Sequence, residues 1–236
     1  MNYLYLIIAF NDMLLLVSAT QREVMPLLQR EKVPTGKVIP ISIGNRSDVS
    51  LLISGVGSVP TTFHLQAELT KRKYSAVVSL GIAGSYSPFL TIGDVVVVRS
   101  EVFADYGIDD NGQFHTLFHH GLADPNHYPF EDGVIQWKFS IFFPMDNQLL
   151  NVKGVTVSTA TGSESTKNRI ERQFSPDIET MEGAAVFYTC RMMNVPFVCL
   201  RGISNRVEPR NAFGWNIPLA VDNVCREAEK VILQLP

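Results

Sequence analysis

Two strand-like runs in the last quarter of the chain each lead to a side chain that can do polar chemistry. Ile178 to Met181 has the pattern of a short strand and is followed by Glu182, which opens a helix with an apolar stripe. The buried run Pro196 to Ile203 leads to Asn205. A carboxylate can accept two hydrogen bonds from vicinal hydroxyls, and a carboxamide can donate and accept at once. We expect a βαβ unit in which the carboxyl ends of two parallel strands lie side by side, so that both side chains face one cleft at a sheet edge.

The elements that would position these residues alternate along the whole chain. Several of the strand-like runs are continuous rows of Val, Ile and Leu, which are typical of strands covered on both faces. Strands are predicted at Met13 to Ser18, Lys37 to Ile43, Val49 to Ser54, Ala76 to Leu80, Asp94 to Val98 and Val155 to Ala160, and helices at Gln21 to Arg30, Pro60 to Lys73, Lys167 to Gln173, Gly183 to Met193 and Pro218 to Leu233. The pattern predicts an α/β fold with a central twisted, mostly parallel mixed β-sheet flanked by helices.

Length and composition favour one domain that acts on a small molecule. The 236 residues, 46% of them hydrophobic, suffice for a sizeable core, so a single domain over residues 1–236 is predicted. A net charge of -3 provides no basic field for nucleic acid or for an anionic membrane. We therefore expect a small-molecule partner, no nucleic acid and no membrane.

Cysteine usage and the N-terminal segment bear on compartment. Cys190, Cys199 and Cys225 are odd in number and lack paired spacing, which predicts reduced core residues of a cytoplasmic protein.

The apolar run Tyr3 to Phe10 has no preceding Lys or Arg and is interrupted by Asn11-Asp12, so a signal peptide is not predicted. Met13 could itself be the natural start, in which case residues 1–12 are a peripheral or spurious extension, and no structure is predicted for them.

The least regular region, Asn111 to Asn151, holds four of the five histidines: His115, His119, His120 and His127. Its turn residues predict a long loop of the kind that often serves as a lid. Because these histidines lack a carboxylate partner and a recurring ligand spacing, we predict partly exposed loop residues and no metal site. No cofactor is predicted either, since no glycine run completes GxGxxG.

Several motifs occur in the order and spacing of a known superfamily. They are ATQREV (Ala19 to Val24), SGVGSV (Ser54 to Val59), SLGIAGS (Ser79 to Ser85), IGDVVV (Ile92 to Val97), Met181-Glu182-Gly183 and Ser204-Asn205. In these motifs the chain resembles the purine nucleoside phosphorylase and methylthioadenosine nucleosidase superfamily over nearly its whole length. Leu122 to Gly133 and Ile203 to Ala220 look most like the futalosine hydrolase branch, which serves an alternative menaquinone pathway. The resemblance implies a nucleoside phosphorylase-like fold.

The resemblance also implies roles in cleaving an N-ribosidic bond, a reaction that places positive charge on the ribose ring and electrons on the purine. Glu23 would activate water, Glu182 would hold the ribose hydroxyls with Met181 packed under the sugar, and Ser204-Asn205 would lie at the base. Each residue also has a structural interpretation. Glu23 suits the first turn of a helix, Glu182 suits a helix cap, Met181 suits the core and Asn205 suits a turn.

Asn205 is a departure from the methylthioadenosine nucleosidases, which the family pattern gives an aspartate there. An amide can donate to O6 of a 6-oxopurine and accept from its protonated N7, whereas a carboxylate suits the amino group of adenine. Hypoxanthine or guanine is therefore the predicted leaving group. The resemblance implies hydrolysis of futalosine to hypoxanthine and dehypoxanthinylfutalosine.

The glycine turn at Gly81 and Gly84 bears on the choice between water and phosphate. Ser85 follows the turn, and the arginine that the phosphorylase branch carries beside it is missing, which favours hydrolysis. Futalosine has a carboxyphenyl ketone on the 5′ side of its ribose, so Phe103, Trp215 and Arg210 are candidates to bind that substituent. In the family a loop of a second subunit completes the pocket, which implies a homodimer or a higher homo-oligomer.

Two other functions remain open from the sequence. A methylthioadenosine or adenosylhomocysteine nucleosidase is the nearer alternative, and Asn205 counts against it. A non-catalytic nucleoside-binding or storage relative is the alternative of another class. The presence of both Glu23 and Glu182 counts against that function, because storage requires neither carboxylate.

Overall fold

The computed structural model describes residues 13–28, 32–138, 149–209 and 214–235, which build a ten-stranded sheet with helices on both sides and a separate two-stranded sheet over residues 107–116. The strands are β1 (Leu14–Ser18), β2 (Val38–Ile43), β3 (Arg46–Ile53), β4 (Ala76–Ser85), β5 (Val95–Phe103), β6 (Gly107–Asp110), β7 (Gln113–Thr116), β8 (Phe130–Glu131), β9 (Val134–Gln136), β10 (Leu150–Thr156), β11 (Ile178–Thr180) and β12 (Phe197–Arg206). The helices are a 3₁₀ helix (Gln21–Leu27), α1 (Ser58–Lys71), α2 (Glu164–Phe174), α3 (Gly183–Met192) and α4 (Ile217–Gln234).

The predicted α/β fold with a mixed sheet flanked by helices is confirmed, most of the paired positions are parallel, and antiparallel ladders close part of the sheet on itself. Parallel ladders join β3–β1–β4–β12 and β5–β10–β11, whereas antiparallel ladders join β11 to β4, β12 to β5 and β2 to β3. The strands β4, β11, β10, β5 and β12 therefore close into a ring. Closure places the ends of several strands around one small interior, which is where polar side chains can meet.

The rows of apolar residues explain why both faces of the sheet are covered. Successive side chains of a strand point to opposite faces. Accordingly Leu14 and Leu16 of β1 belong to one core cluster, with α4, and Leu15 and Val17 belong to the other, with α1 and α3. Burial of this apolar surface on two sides is the main stabilising contribution of the sheet.

The eight strands predicted in the sequence are all present, as are the five helices, with shifted ends. The fourth predicted strand extends to Ser85, and the sixth runs over Leu150–Thr156, earlier than predicted. The region from Asn111 to Asn151 is not one long loop, because β7, β8 and β9 and the start of β10 lie within it. The predicted extension over residues 1–12 lies outside the described residues.

The strand–helix–strand unit around α3 differs from the parallel pair that we predicted. β11 and β12 do not pair with each other, because the end of β4 lies between them. β12 runs parallel to β4, and β11 runs antiparallel to it. Glu179 of β11 pairs with Gly84, and so does Asn205 of β12. β11 then runs back along β4, which carries Glu182 away from Asn205 toward the level of Gly81.

Among the described residues, no helix combines the length and the apolar character that a membrane crossing requires.

Candidate active site

Glu23 lies in the 3₁₀ helix directly after β1, with its two carboxylate oxygens in different surroundings. Oε2 accepts hydrogen bonds from the backbone N–H and the hydroxyl of Thr20, at 2.9 and 2.8 Å, and so caps its own helix. Oε1 accepts the N–H of Ile82 in β4 at 3.2 Å. A purely structural role at the start of the helix therefore accounts for only one oxygen of Glu23, because the other oxygen is held against the glycine turn of β4.

Glu182 precedes the first turn of α3 and reaches across to the start of α1. Its Oε1 accepts the N–H of Gly57 at 2.7 Å, and Gly57 is the N-cap of α1. Burial raises the pKa of Glu182 and the neighbouring Glu23 carboxylate adds to this, against the effects of the Gly57 N–H and of Arg201. Glu182 is partly buried and forms no side-chain cap of its own helix. A carboxylate held on one edge in this way keeps lone pairs for a ligand.

A buried arginine completes the group of charges. Arg201 lies within β12 at 3% exposure and donates to the carbonyl of Leu200 at 2.8 Å and to the hydroxyl of Ser79 at 3.3 Å. Burial opposes its charge, yet Cys199 and the surrounding carboxylates raise its pKa above the ordinary value. Glu182, Glu101 and Glu23 are those carboxylates. The guanidinium therefore stays charged and offsets part of the negative charge that its carboxyl neighbours carry.

These residues enclose a cavity of about 10 Å³, enough for roughly one water molecule. Glu23, Glu182 and Arg201 line it together with Gly81, with three serines and with small apolar residues; these further lining residues are Ser18, Ser54, Ser79, Val17, Ala19, Leu80 and Val186. A Cβ atom at Gly81 would lie 2.9 Å from Oε1 of Glu23 and 3.8 Å from Nε of Arg201. The glycine therefore leaves open the space between the carboxylate and the guanidinium.

Asn205 lies further along β4, beside Gly84. Its Oδ1 accepts the hydroxyl of Ser204 at 2.8 Å, and its Nδ2 donates to the carbonyl of Arg206 at 2.8 Å. A Cβ atom at Gly84 would lie 3.2 Å from Nδ2. The amide retains one N–H and one acceptor position beyond these contacts. Three residues of β4 separate the Gly81 and Gly84 levels, about 10 Å along a strand, which is comparable with the length of a nucleoside.

The other sequence-predicted residues are less closely tied to the cavity. Met181 is partly buried, and its carbonyl accepts the hydroxyl of Ser58 at 3.4 Å. Phe103, at the end of β5, packs against Tyr106 with ring centroids 6.0 Å apart. Trp215 is 40% exposed and precedes Asn216, whose N–H donates to the carbonyl of Ser204. Arg210 lies outside the described residues.

Two residues of the buried group of charges, Arg201 and Glu101, were not predicted from the sequence. Each is a charged residue inside an apolar strand, VCLRGIS in β12 and VVVVRSEV in β5. Charged side chains are almost never fully buried unless they are paired, so a charge in such a run indicates a partner nearby. That signal was available before the structure, although the identity of the partner was not.

Three of the four histidines of the region 111–151 form a cluster in the described structure. The rings of His115, His119 and His120 pack with centroids 4.6 to 5.3 Å apart. Across the described ranges, no three His, Cys, Asp or Glu side chains are placed to hold a metal ion.

Comparison with known proteins places this geometry in a family. The model of the phosphorylase superfamily matches residues 14–233. A futalosine hydrolase of Acidothermus cellulolyticus is 30% identical over 187 residues, 76% of this chain and 73% of that protein. A 5'-methylthioadenosine/S-adenosylhomocysteine nucleosidase of Buchnera aphidicola is 27% identical over 78% of each chain.

The fold is similar to that of solved nucleosidases. The crystal structure of the Helicobacter pylori 5'-methylthioadenosine/S-adenosylhomocysteine nucleosidase with butyl-thio-DADMe-Immucillin-A has a TM-score of 0.77, 18% sequence identity, and coverage of 96% of this chain and 100% of that one. The superfamily match spans all the elements that carry the two glutamates, the buried arginine and Asn205. The chain belongs to the phosphorylase superfamily and, within it, to the nucleosidases, enzymes that hydrolyse N-glycosyl bonds.

Proposed function

We propose that this nucleosidase hydrolyses the N-ribosidic bond of futalosine, releasing hypoxanthine and dehypoxanthinylfutalosine. The observation that carries the choice of substrate is the carboxamide of Asn205 beside Gly84, where the adenine-specific members of the family have a carboxylate. The similarity to the Acidothermus cellulolyticus futalosine hydrolase supports the same choice.

In this proposal the water that attacks the ribose occupies the cavity bordered by Glu23 and Arg201. Glu23 is the base, because its Oε1 faces the space left by Gly81. Arg201 holds the water by donation, and the Glu23 carboxylate takes a proton from it as the new C–O bond forms. The cavity has room for about one water and is too small for a sugar, so the ribose is assigned to the space outside it, against Glu182 and Met181.

Glu182 is assigned to the ribose hydroxyls. Its anchored Oε1 fixes the direction of the carboxylate, and bonds from the hydroxyls to this group strengthen as positive charge develops on the ring. The electrons of the broken bond move into the purine. The purine takes up a proton from solvent at N7 as it leaves, since a carboxamide cannot supply one, and Asn205 stabilises the departing 6-oxopurine by donating to O6 and accepting from the N7–H group.

The competing substrate is methylthioadenosine, because nucleosidases named for it are similar to this chain in sequence and fold. Incubation of the purified protein with futalosine, inosine or methylthioadenosine, followed by chromatography of the released bases, separates the two. We expect hypoxanthine from futalosine, with a rate that does not depend on phosphate. Faster release of adenine from methylthioadenosine would overturn the assignment, and a requirement for phosphate would overturn hydrolysis.

We also propose that the protein is a cytoplasmic homodimer or higher homo-oligomer, as its family resemblance implies, with Phe103, Trp215 and Arg210 near the 5′ substituent. Light scattering coupled to size-exclusion chromatography tests the oligomeric state, and a monomer mass would contradict it.

A further inference from the structure

Glu101 is a buried carboxyl group that the hydrolytic scheme does not use. It lies on β5 at 0% exposure. Its Oε2 is 2.9 Å from the hydroxyl of Thr156, and its Oε1 has no hydrogen-bond partner among the described residues. Since a buried carboxylate oxygen without a donor is costly, this arrangement suits a carboxyl group that carries a proton.

The Thr156 hydroxyl links Glu101 to the helix that begins beside Glu182. Thr156 Oγ1 accepts the N–H of Ala184 at 2.7 Å, and the hydroxyl of Thr180 accepts the N–H of Gly183 at 3.1 Å. The two hydroxyls are 3.3 Å apart. Side chains of β10 and β11 therefore satisfy the first N–H groups of α3, which Glu182 itself does not cap.

Two glycines make room for the Glu101 carboxyl. A Cβ atom on Gly183 or on Gly154 would overlap Oε1. Gly183 follows Glu182 directly in the chain, so the carboxyl group of Glu101 packs against the backbone that sets the direction of the Glu182 side chain.

The charge count near the cavity also favours a neutral Glu101. Charged and titratable groups face it from two elements, with Arg201 and Cys199 on β12 and Glu182 at the start of α3. Arg99 on β5 is directed elsewhere, to Asn151 at 2.6 Å and over the ring of Trp137. One guanidinium cannot offset Glu23, Glu182 and Glu101 together in a buried site, and Glu101 is the most buried of the three.

We propose that Glu101 is a neutral carboxylic acid that positions Glu182, by holding the Thr156 hydroxyl against the first turn of α3. It is a positioning residue and does not touch substrate. The proposal rests on the proposed function only for the assignment of Glu182 to the ribose.

The proposal predicts a pH dependence. Burial raises the pKa of Glu101 to about 8, with the Glu182 charge adding to the effect of burial and Thr156 and Arg201 opposing it. Above that pH a further negative charge forms beside Glu182, so kcat/KM should fall.

The same proton links pH to folding. Because the folded-state pKa is raised, the proton on Glu101 contributes to the free energy of unfolding. This contribution is fully present below the unfolded pKa, near 4.3, and is lost as pH rises to and through the folded pKa of about 8.

The experiment compares Glu101→Gln, which keeps a neutral polar group, with Glu101→Leu, which removes it. At pH 7 we expect kcat/KM of Glu101→Gln on futalosine within about threefold of wild type, and of Glu101→Leu at least tenfold lower, with a raised KM. The wild-type decline above pH 8 should be absent in Glu101→Gln. Equal losses in both variants at pH 7, or an unchanged alkaline decline in Glu101→Gln, would overturn the proposal.

Two measurements keep the test independent of folding defects and of substrate identity. Thr156→Val should reproduce the Glu101→Leu kinetics while Thr156→Ser retains wild-type values, and equal behaviour of the pair would contradict the proposed link. Infrared difference spectra without substrate should show a protonated carboxyl band at pH 7 in wild type that is lost in Glu101→Gln. Absence of that band in folded wild type would overturn the neutral assignment even if futalosine were the wrong substrate.

Discussion

The two ends of the cleft differ in how the fold holds their side chains. At the Gly81 end, Glu23 is bonded to β4, Glu182 to the start of α1, and Arg201 is buried within the strand ring. At the Gly84 end, the amide of Asn205 bonds, within the described part of the chain, to its sequence neighbours Ser204 and Arg206. The side chains assigned to hydrolysis are thus held by long-range contacts, and the side chain assigned to the base by local ones.

This difference explains how one fold can serve several bases. Replacing a side chain held by local contacts changes recognition with little effect on the scaffold, whereas replacing one that joins separate elements disturbs both. The chain is similar both to a protein named futalosine hydrolase and to one named for methylthioadenosine and adenosylhomocysteine. We therefore expect substitutions at the Gly81 end to change the rate with every substrate and those at the Gly84 end to change the choice of base.

The largest effect is expected for Glu23→Gln. It removes the proton acceptor while keeping the shape, so kcat should fall by about 10²- to 10⁴-fold. Binding of the product hypoxanthine, followed by calorimetry, should stay within a few-fold of wild type. Near-normal turnover would show that another group is the base and that Glu23 serves only its helix, through the Thr20 contacts.

A smaller loss is expected for Glu182→Gln, in both turnover and affinity. Hydrogen bonds to a charged group contribute about 1.5–3 kcal/mol, so kcat/KM should fall by roughly 10- to 100-fold. Steady-state kinetics on futalosine measure this. Glu179→Gln is a matched control on the same segment, because Glu179 is bonded to Tyr86 and Thr161 and lines no part of the cavity. Equal kinetic losses in the two variants would reduce Glu182 to a structural role.

Asn205→Asp should mainly change the choice of base. A carboxylate facing O6 leaves the base mispaired, at a cost on the order of 1–3 kcal/mol, so hydrolysis of futalosine should fall by about 10- to 100-fold. The ratio of methylthioadenosine to futalosine hydrolysis should rise. If both activities fell in proportion, Asn205 would act in the hydrolytic step or in folding, and the contrast between the two ends would not hold.

The local features of this fold were predictable from the sequence, and its long-range pairings were not. Apolar rows and helical stripes gave the strands and helices that carry Glu23, Glu182 and Asn205. β11 has only three residues, and its direction beside β4 is decided by pairing with β10 and by ring closure. No periodicity within the segment contains that information.

The same reason explains why the sequence predicted only part of the candidate site. The cavity exists because β4, β12, the 3₁₀ helix and α3 converge at Gly81, and a pattern along one segment does not specify which segments meet. Arg201 carried a usable signal, since a charge in an apolar strand needs a partner. The short strands β7, β8 and β9 within residues 111–151 were not predicted, because they are two to four residues long, too short for an alternating pattern.

The smallest effects, and the sharpest test of the comparison, come from two glycines on one strand. The backbones of Gly81 and Gly84 lie outside the left-handed region, so alanine meets only steric contacts. At Gly81 the added methyl lies 2.9 Å from the Glu23 carboxylate and in the space assigned to the water. We expect Gly81→Ala to lower kcat by about tenfold with every substrate, since the displaced carboxylate loses part of its general-base contribution.

At Gly84 the added methyl lies 2.9 Å from the Val207 side chain and 3.2 Å from the Asn205 amide. Val207 can shift by a few tenths of an ångström, so Gly84→Ala should change kcat only a few-fold while raising KM for futalosine. Kinetics of both variants on futalosine and inosine, with thermal unfolding to match their stabilities, measure the contrast. If Gly84→Ala lowered kcat as much as Gly81→Ala while both remained folded, base binding and water activation would share one rigid unit. The separation of rate and recognition along β4 would then be wrong.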